Sequence, residues 1–328
     1  MDLKDISLKK YNILVTGVGA IIGYGIIKSI RKSRYNCNII GMDIYEDAVG
    51  QAWTDHFEKA VLAYDAAYIT FLHELIVKYN IDLIFLGTEQ ELEIVSKCDD
   101  ENIKGKCVLN SDAAFRVSED KWLTYTFLVE NGFRPIPSSL KHDYESICKE
   151  LGVPFLLKPR CSYAGKGIRK ISTKRELDFF SGYISEDNYM VQKIIGDDAK
   201  EYTAAVFGYG DGTCSDSIMF RRKLSQEGAT AKAFVEDIPE IKGIIQQICE
   251  LIKPIGPTNF QFRRDQDEYY LLEINPRISS STSIRTAFGF NEAEMCIGWF
   301  LENKKLGKRR DLKKGMAIRY IDEWVKEV

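Results

Sequence analysis

Short continuous apolar runs alternate with amphipathic stretches over the first third of the chain. Ile13 to Thr16 reads as a buried parallel strand, GYGIIKSIRK opens a helix, and NIIGMDIY is a second strand ending near Asp43. The helical stretch ITFLHELIVKYN leads to a third strand, DLIFLG at 82–87. This rhythm predicts an open parallel α/β sheet. Glycines 17, 19 and 23 permit a tight turn after the first strand.

The pattern changes after residue 110. Asn110, Ser111 and Asp112 mark a capped boundary, and a helix carrying Asp120, Lys121 and Trp122 follows until Pro135 and Pro137. A helix near 143–151 precedes the strand VPFLLKPR, where Phe155 and Leu157 point one way and Leu156 and Lys158 the other. The strand IRKIS, the helical KRELDFFSGYI and a strand from Tyr189 to Lys193 come next, with a turn through Gly196 before another strand at Glu201. In TNFQFRR, alternation puts Asn259, Gln261 and Arg263 on one face and Phe260 with Phe262 on the other. DQDE makes a turn, and YYLLEIN returns with Leu272 and Ile274 on one face and Leu271, Glu273 and Asn275 on the opposite one. MAIRYIDEWV reads as a last strand, with Trp324 in the core.

Composition narrows the class. The 328 residues are 45% hydrophobic and 28% charged, with 45 basic and 48 acidic side chains and a net charge of −3. That balance exerts no general pull toward nucleic acid or an anionic membrane. No apolar run reaches the ~20 residues that span a bilayer, and MDLKDISLKKY lacks a signal-peptide core, so a cytoplasmic location is expected. Eight cysteines without a CxxC pair, and only three histidines, argue for small buried hydrophobes in a reducing compartment rather than a zinc site. The basic stretch ENKKLGKRRDLKKG lacks interleaved aromatics and reads as a solvated face.

Several polar positions call for a chemical reason. Gly17 and Gly19, with Asp43 at the end of the second strand, invite an NAD-dependent oxidoreductase reading. Gly23, however, stands one place late for that fingerprint, and a glycine turn that lets the helix approach the sheet explains the same residues. Thr88, Glu89 and Glu91 lie where open α/β sheets gather ligands, and serve equally as helix caps. Lys158 at the end of an apolar strand is costly unless its ammonium meets an anion. The turn CSYAGKGI supplies Ser162, Gly165, Lys166 and Gly167, which suit either a phosphate-covering flap or an ordinary hairpin. Gln192 to Ile194 can offer backbone groups to an adenine edge, and Glu201 a carboxylate to ribose hydroxyls; each is also unremarkable on a surface. If TNFQF and YYLLEIN pair as a hairpin, Gln261, Glu273 and Asn275 converge as hard oxygen ligands for Mg²⁺ or Mn²⁺, beside the fork of Arg277. A structural hydrogen-bond cluster is the competing reading.

At this point the chain resembles the ATP-grasp superfamily, in particular a short single-copy relative of the carbamoyl-phosphate synthetase large chain. The resemblance rests on Lys121, on LLKPR with its small-residue loop, on QKIIG followed by KEYT, on TNFQF, and on LLEINPR with the serine run ISSSTS; it covers about residues 111 to 300. It implies an N-terminal open parallel α/β (pre-ATP-grasp) domain over 1–110. An ATP-grasp fold of two α+β subdomains would follow, a lid region over 111–195 and a metal-bearing C-terminal part over 196–328. Carried over to this chain, Lys121 and Lys158 would bind ATP phosphates together with Ser162 and Gly165. Gln192, Lys193, Ile194 and Ile195 would line the adenine, and Glu201 would bind ribose. Gln261, Glu273 and Asn275 would position Mg²⁺ or Mn²⁺, while Arg277 would face the transferred phosphoryl group. The implied activity is ligation of a small-molecule carboxylate to an amine or other nucleophile through an acyl phosphate. Front-domain residues and the segment around Arg285 would select the substrates, and a homodimer is common among relatives. Cys161, beside the site, reads as a small loop residue. The chain departs from the family pattern at Ala164 and Lys166, which interrupt the flap glycines, and at Gln192, where many members carry glutamate. A nucleotide-binding regulatory protein without turnover is the alternative that the altered flap motivates.

Overall fold

The apolar runs of the first third become a four-stranded sheet of β1 (Lys10–Val15), β2 (Asn36–Asp43), β3 (His56–Lys59) and β4 (Leu83–Phe85), all parallel and ordered β3-β2-β1-β4. The structure is a computed structural model that describes residues 9–162, 165–305 and 313–325. Residues 1–8 of the N-terminal stretch, residues 306–312 of the basic stretch, and Ala164 lie outside those residues. β3 was not expected: HFEK is short, only half-buried, and carries no apolar run to announce it.

The glycine loop is explained by packing. Gly17 takes φ +56°, and a methyl group on Gly23 would collide with the Gly17 carbonyl oxygen, so the helix Ile21–Arg31 sits hard against the loop. The Asp43 carboxylate closes the same loop, accepting from the Gly19 N–H at 2.7 Å and the Tyr45 N–H at 3.0 Å. Its local role accounts for the strand-end acid. Gly23→Ala is expected to destabilise the chain by about 1–3 kcal/mol, measured by denaturant unfolding, because backbone rather than a movable side chain stands in the way.

The next sheet is antiparallel and ordered β5-β8-β6-β7, from β5 (Ser138–Ser139), β6 (Phe155–Pro159), β7 (Arg169–Ile171) and β8 (Tyr189–Lys193). Phe155 and Leu157 enter a small core with Ile147, Leu151, Ile171, Leu177 and Val191, while Lys158 takes the opposite face, as the alternation predicts.

A six-stranded antiparallel sheet ordered β13-β12-β9-β10-β11-β14 completes the fold. Its strands are β9 (Glu201–Tyr209), β10 (Ile218–Leu224), β11 (Thr230–Glu236), β12 (Ile255–Asp265), β13 (Glu268–Asn275) and β14 (Met316–Ile318). One face packs on the amphipathic helix Pro239–Ile252 through Ala204, Val206, Phe260, Phe262 and Ile274. The other face, through Phe207, Ile218 and Phe220, shares a core with the helix Ile21–Arg31 of the first sheet. The chain that leaves β13 carries Arg277 to Glu89, just past β4, so that end of the large sheet meets the first one.

Two expectations fail here. A β-bulge shifts the β12–β13 register, so Gln261 stands opposite Glu273 but Phe262 opposite Leu271. Leu271 consequently joins Phe260, Phe262 and Ile274 in the core instead of sharing the Glu273 face. The last strand is three residues long, and Trp324 is exposed rather than buried, because pairing with β11 ends at Ile318. Among the described residues, no helix is long and apolar enough to cross a membrane.

Candidate functional site

The hairpin of β12 and β13 sets the centre. Asn259 faces Asn275 and Gln261 faces Glu273 across the ladder. Glu273 is half-buried, and no hydrogen bond or ion pair ties its carboxylate among the described residues. Its charge is nevertheless felt by Lys121, Lys158 and Arg277. Three cations from three separate elements thus converge electrostatically on one strand-end acid.

Each cation is placed by its local structure. Lys121 begins the helix Lys121–Glu130, capped by the Asp120 carboxylate, and its Nζ donates to the Ser162 carbonyl at 2.8 Å and the Ser162 Oγ at 3.1 Å. Asp120 also pairs with Arg160, which fixes the loop that follows β6. Lys158 is buried, and its Nζ donates to Gln192 Oε1 at 2.9 Å. Burial first, and the nearby Lys121 second, push the Lys158 ammonium down to about 8, with Glu273 working in the opposite direction. Burial also lowers Lys121, again against the pull of Glu273. Burial thus outweighs the one nearby carboxylate, and an anion bound against these lysines would restore their charge.

Arg277 reaches the first sheet. Its Nε donates to Glu89 Oε1 at 2.7 Å, Nη2 bonds the same oxygen, and Nη2 also meets Asn275 Oδ1 at 3.2 Å. Burial opposes the guanidinium charge, and Glu89 more than offsets it. Of the acids after β4, Glu89 therefore belongs to the cleft. Thr88 caps the helix Glu89–Lys97, and Glu91 is buried, accepting from the hydroxyls of Thr16 at 2.5 Å and Thr88 at 2.7 Å. Burial raises the Glu91 carboxyl.

The remaining expected residues are less open. Gln192 is clamped between Lys158 and the Ser138 hydroxyl, which accepts from Nε2 at 3.0 Å. The Lys193 N–H already bonds the Pro137 carbonyl at 2.9 Å, and Ile195 is buried while Ile194 is half-buried. Gly165 is described but bears no close neighbour, and Lys166 beside it is exposed. Glu201 is buried with both oxygens engaged: Oε1 by Arg222 at 2.7 Å and Oε2 by Arg263 at 2.8 Å. Arg222 also donates to Gln261 Oε1 at 2.7 Å, so a single guanidinium bridges Glu201 and Gln261.

Arg222 was missed from sequence. The signal was there: in IMFRRKL it shares a strand face with Phe220, which is fully buried, and an arginine on such a face needs a partner. Arg285, in the segment expected to help select substrates, is fully buried in an ion pair with Glu292 and donates to Asn259 Oδ1 at 2.5 Å. Cys161 is exposed, and partial burial followed by Asp120 raises its thiol, which disfavours the nucleophilic thiolate.

The donor set fits a hard divalent cation held jointly with a ligand. Glu273 offers a carboxylate, and Gln261 Oε1 and Asn275 Oδ1, which now accept from Arg222 and Arg277, would join it by exchanging those bonds. Among the described residues the Asn275 Nδ2 is buried without a partner, where it would donate to a ligand oxygen, and no group of three or more His, Cys, Asp or Glu forms a metal cage. Around them stand Lys121, Lys158, Arg222, Arg263 and Arg277 against Glu89, Glu201 and Glu273. Such a cleft suits a polyanion.

A family model described as "ATP-grasp in the biosynthetic pathway with Ter operon" matches residues 187–324. Among curated proteins, the chain is 25% identical over 176 residues to the carbamoyl phosphate synthase large chain, C-terminal section, of Aquifex aeolicus, covering 49% of this chain and 33% of that protein. It is 25% identical over 236 residues to a carbamoyl-phosphate synthase of Methanobrevibacter smithii, covering 65% of this chain and 62% of the other. The chain thus spans less than two thirds of the length of either relative. Among solved structures, a biotin carboxylase from Campylobacter jejuni, in a complex with β-γ-ATP, superposes with a TM-score of 0.73 at 17% identity, over 93% of this chain and 74% of that one. The mixed α/β architecture is that of the ATP-grasp fold.

Proposed function

We propose that this chain is an ATP-dependent ligase that joins a small-molecule carboxylate to an amine or another nucleophile through an acyl phosphate, with Mg²⁺ or Mn²⁺ as cofactor. The observation that carries the reading is the Glu273 carboxylate, opposite Gln261, with no hydrogen bond or ion pair among the described residues yet within the field of Lys121, Lys158 and Arg277. Gln261, Glu273 and Asn275 would hold the cation, whose charge would neutralise phosphoryl oxygens.

The side chains themselves supply position and charge. Lys158 and Lys121 would bind phosphate oxygens, the former exchanging its bond to Gln192 for one to the nucleotide. Ser162 and Gly165, in the loop after β6, would close over them and exclude water, since an acyl phosphate hydrolyses. The region from Gln192 to Ile195 would line the adenine. Glu201 would reach ribose by sharing its oxygens with Arg222 and Arg263. Arg277, tethered to Glu89, would stabilise charge on the transferred phosphoryl group. The substrate carboxylate would attack the γ-phosphorus, releasing ADP, and the nucleophile would then displace phosphate from the activated carbonyl.

ADP release over pooled acids and amines, with mass spectrometry for a condensation product, tests the assignment. A product that appears only with ATP and a divalent cation supports it; tight nucleotide binding with no ADP formed over the whole panel favours a regulatory protein instead.

A further inference from the structure

We propose that β14 is a docking edge for a second copy of this chain: two β14 strands pair antiparallel about a two-fold axis at Ile318 and join the two large sheets into one. The pairing stands apart from the functional reading above. β14 is the last strand of the six-stranded sheet and is bound on one side to β11. The Arg319 N–H donates to the Ala231 carbonyl at 2.8 Å, and the Val235 N–H donates to the Gly315 carbonyl at 2.9 Å, so the odd-numbered residues bond β11. In an antiparallel ladder the residues between them turn their N–H and C=O groups the other way, and those of Met316 and Ile318 point to the open edge. Natural sheets usually blunt such an edge with charge. β3 and β7, at the edges of the other two sheets, carry Glu58 with Lys59 and Arg169 with Lys170, whereas β14 is Met316, Ala317 and Ile318.

Side chains and charges decide what covers the edge. Ala317 packs on the shared core and Arg319 donates to the Ser280 carbonyl, which leaves Met316, Ile318 and Tyr320 on the opposite face at 52%, 59% and 81% exposure. A row of large apolar side chains beside unpaired backbone marks an interaction site. The flanks select a copy of the same chain. Lys313 and Lys314 precede the strand, Asp322 and Glu323 follow it, and all four are exposed with no ion pair among the described residues, although Lys28 feels the charge of Asp322. An axis at Ile318 sets Lys314 opposite Asp322 of the second copy, Lys313 opposite Glu323 and Met316 opposite Tyr320, each contact made twice by the symmetry. Moving the axis to Ala317 sets the two lysines opposite Tyr320 and Ile321, and moving it to Arg319 sets them opposite Trp324 and Val325. Of these three registers, only the one at Ile318 matches each lysine with an acid. Opposite charges and large apolar groups facing across a ladder are the pairs that stabilise it.

Sedimentation velocity of the full chain, from micromolar to submillimolar concentration, tests the pairing, with thermal unfolding as the control for folding. The wild-type chain should pass from monomer to dimer across that range, since a single edge contact lies at the small end of specific interfaces. Ile318→Lys sets two ammonium groups face to face on the axis, and should leave the chain folded while weakening the dimer by roughly 10-fold or more. Lys313→Glu with Lys314→Glu should weaken it comparably. Adding Asp322→Lys with Glu323→Lys to that variant should restore wild-type association, because the swapped chain is again complementary to itself. A wild-type chain that stays monomeric throughout overturns the proposal. So does a dimer that Ile318→Lys leaves unchanged, or a charge swap that fails to restore association. Should Ile318→Lys not fold, the charge variants carry the test, since their side chains are exposed.

Discussion

Glu273→Gln is expected to lower turnover by roughly 10²–10³-fold, the usual loss when one preorganised charged group is removed from a transition state. The substitution keeps the shape and the half-buried setting of the side chain but removes the only carboxylate in the Gln261, Glu273, Asn275 set. Lys121, Lys158 and Arg277 would lose a common counter-charge, so their mutual repulsion would rise as the cation's hold weakened. Turnover should therefore demand more Mg²⁺, while thermal unfolding stays close to wild type because no ion pair or hydrogen bond among the described residues uses this carboxylate. The check is ADP release at saturating substrate over a Mg²⁺ titration. Near-normal turnover with an unchanged Mg²⁺ requirement would remove Glu273 from the site.

Lys158 gives the second large effect, and it carries a pH signature. Burial brings its ammonium from the ordinary 10.5 down to about 8, so the charged form that phosphate needs is intact below pH 8 and lost above it. Nucleotide affinity measured by calorimetry should be level below that point and fall by about tenfold per pH unit beyond it. Lys158→Ala should weaken binding by about 10–100-fold near pH 7 and abolish the slope, because a charge-assisted bond to phosphate contributes a few kcal/mol at most. Lys158→Arg should keep the charge and also lose the slope, since arginine does not titrate in this range. An alanine variant with wild-type affinity would refute the phosphate role.

Strand alternation made much of this site readable in advance. Two-residue periodicity placed Lys158 opposite Phe155 and Leu157, and aligned Gln261 with Glu273 if the strands paired. What alternation cannot reveal is a residue that breaks the count. The bulge between Gln261 and Phe262 inverted the side on which Leu271 was expected, and nothing in YYLLEIN announces it. Long-range ion pairs were equally hidden: Arg277 with Glu89 and Arg222 with Glu201 join residues far apart in sequence, and no local pattern pairs them. Arg285, in the segment read as substrate-selecting, is itself buried in an ion pair with Glu292 that no local pattern announces. In the first third, the glycine spacing left a dinucleotide loop and a close helix–sheet turn as alternatives, and the steric constraint of the turn is the one seen, set by the Gly17 carbonyl under Gly23.

The most direct measurement is a crystal structure of the chain with Mn²⁺ and a non-hydrolysable ATP analogue, with the metal located by anomalous scattering. The expected result is an anomalous peak about 2.0–2.2 Å from a Glu273 carboxylate oxygen, also coordinated by phosphate oxygens and close to Gln261 and Asn275. A nucleotide bound elsewhere, or a metal peak that leaves Glu273 uncoordinated between Lys121, Lys158 and Arg277, would contradict it.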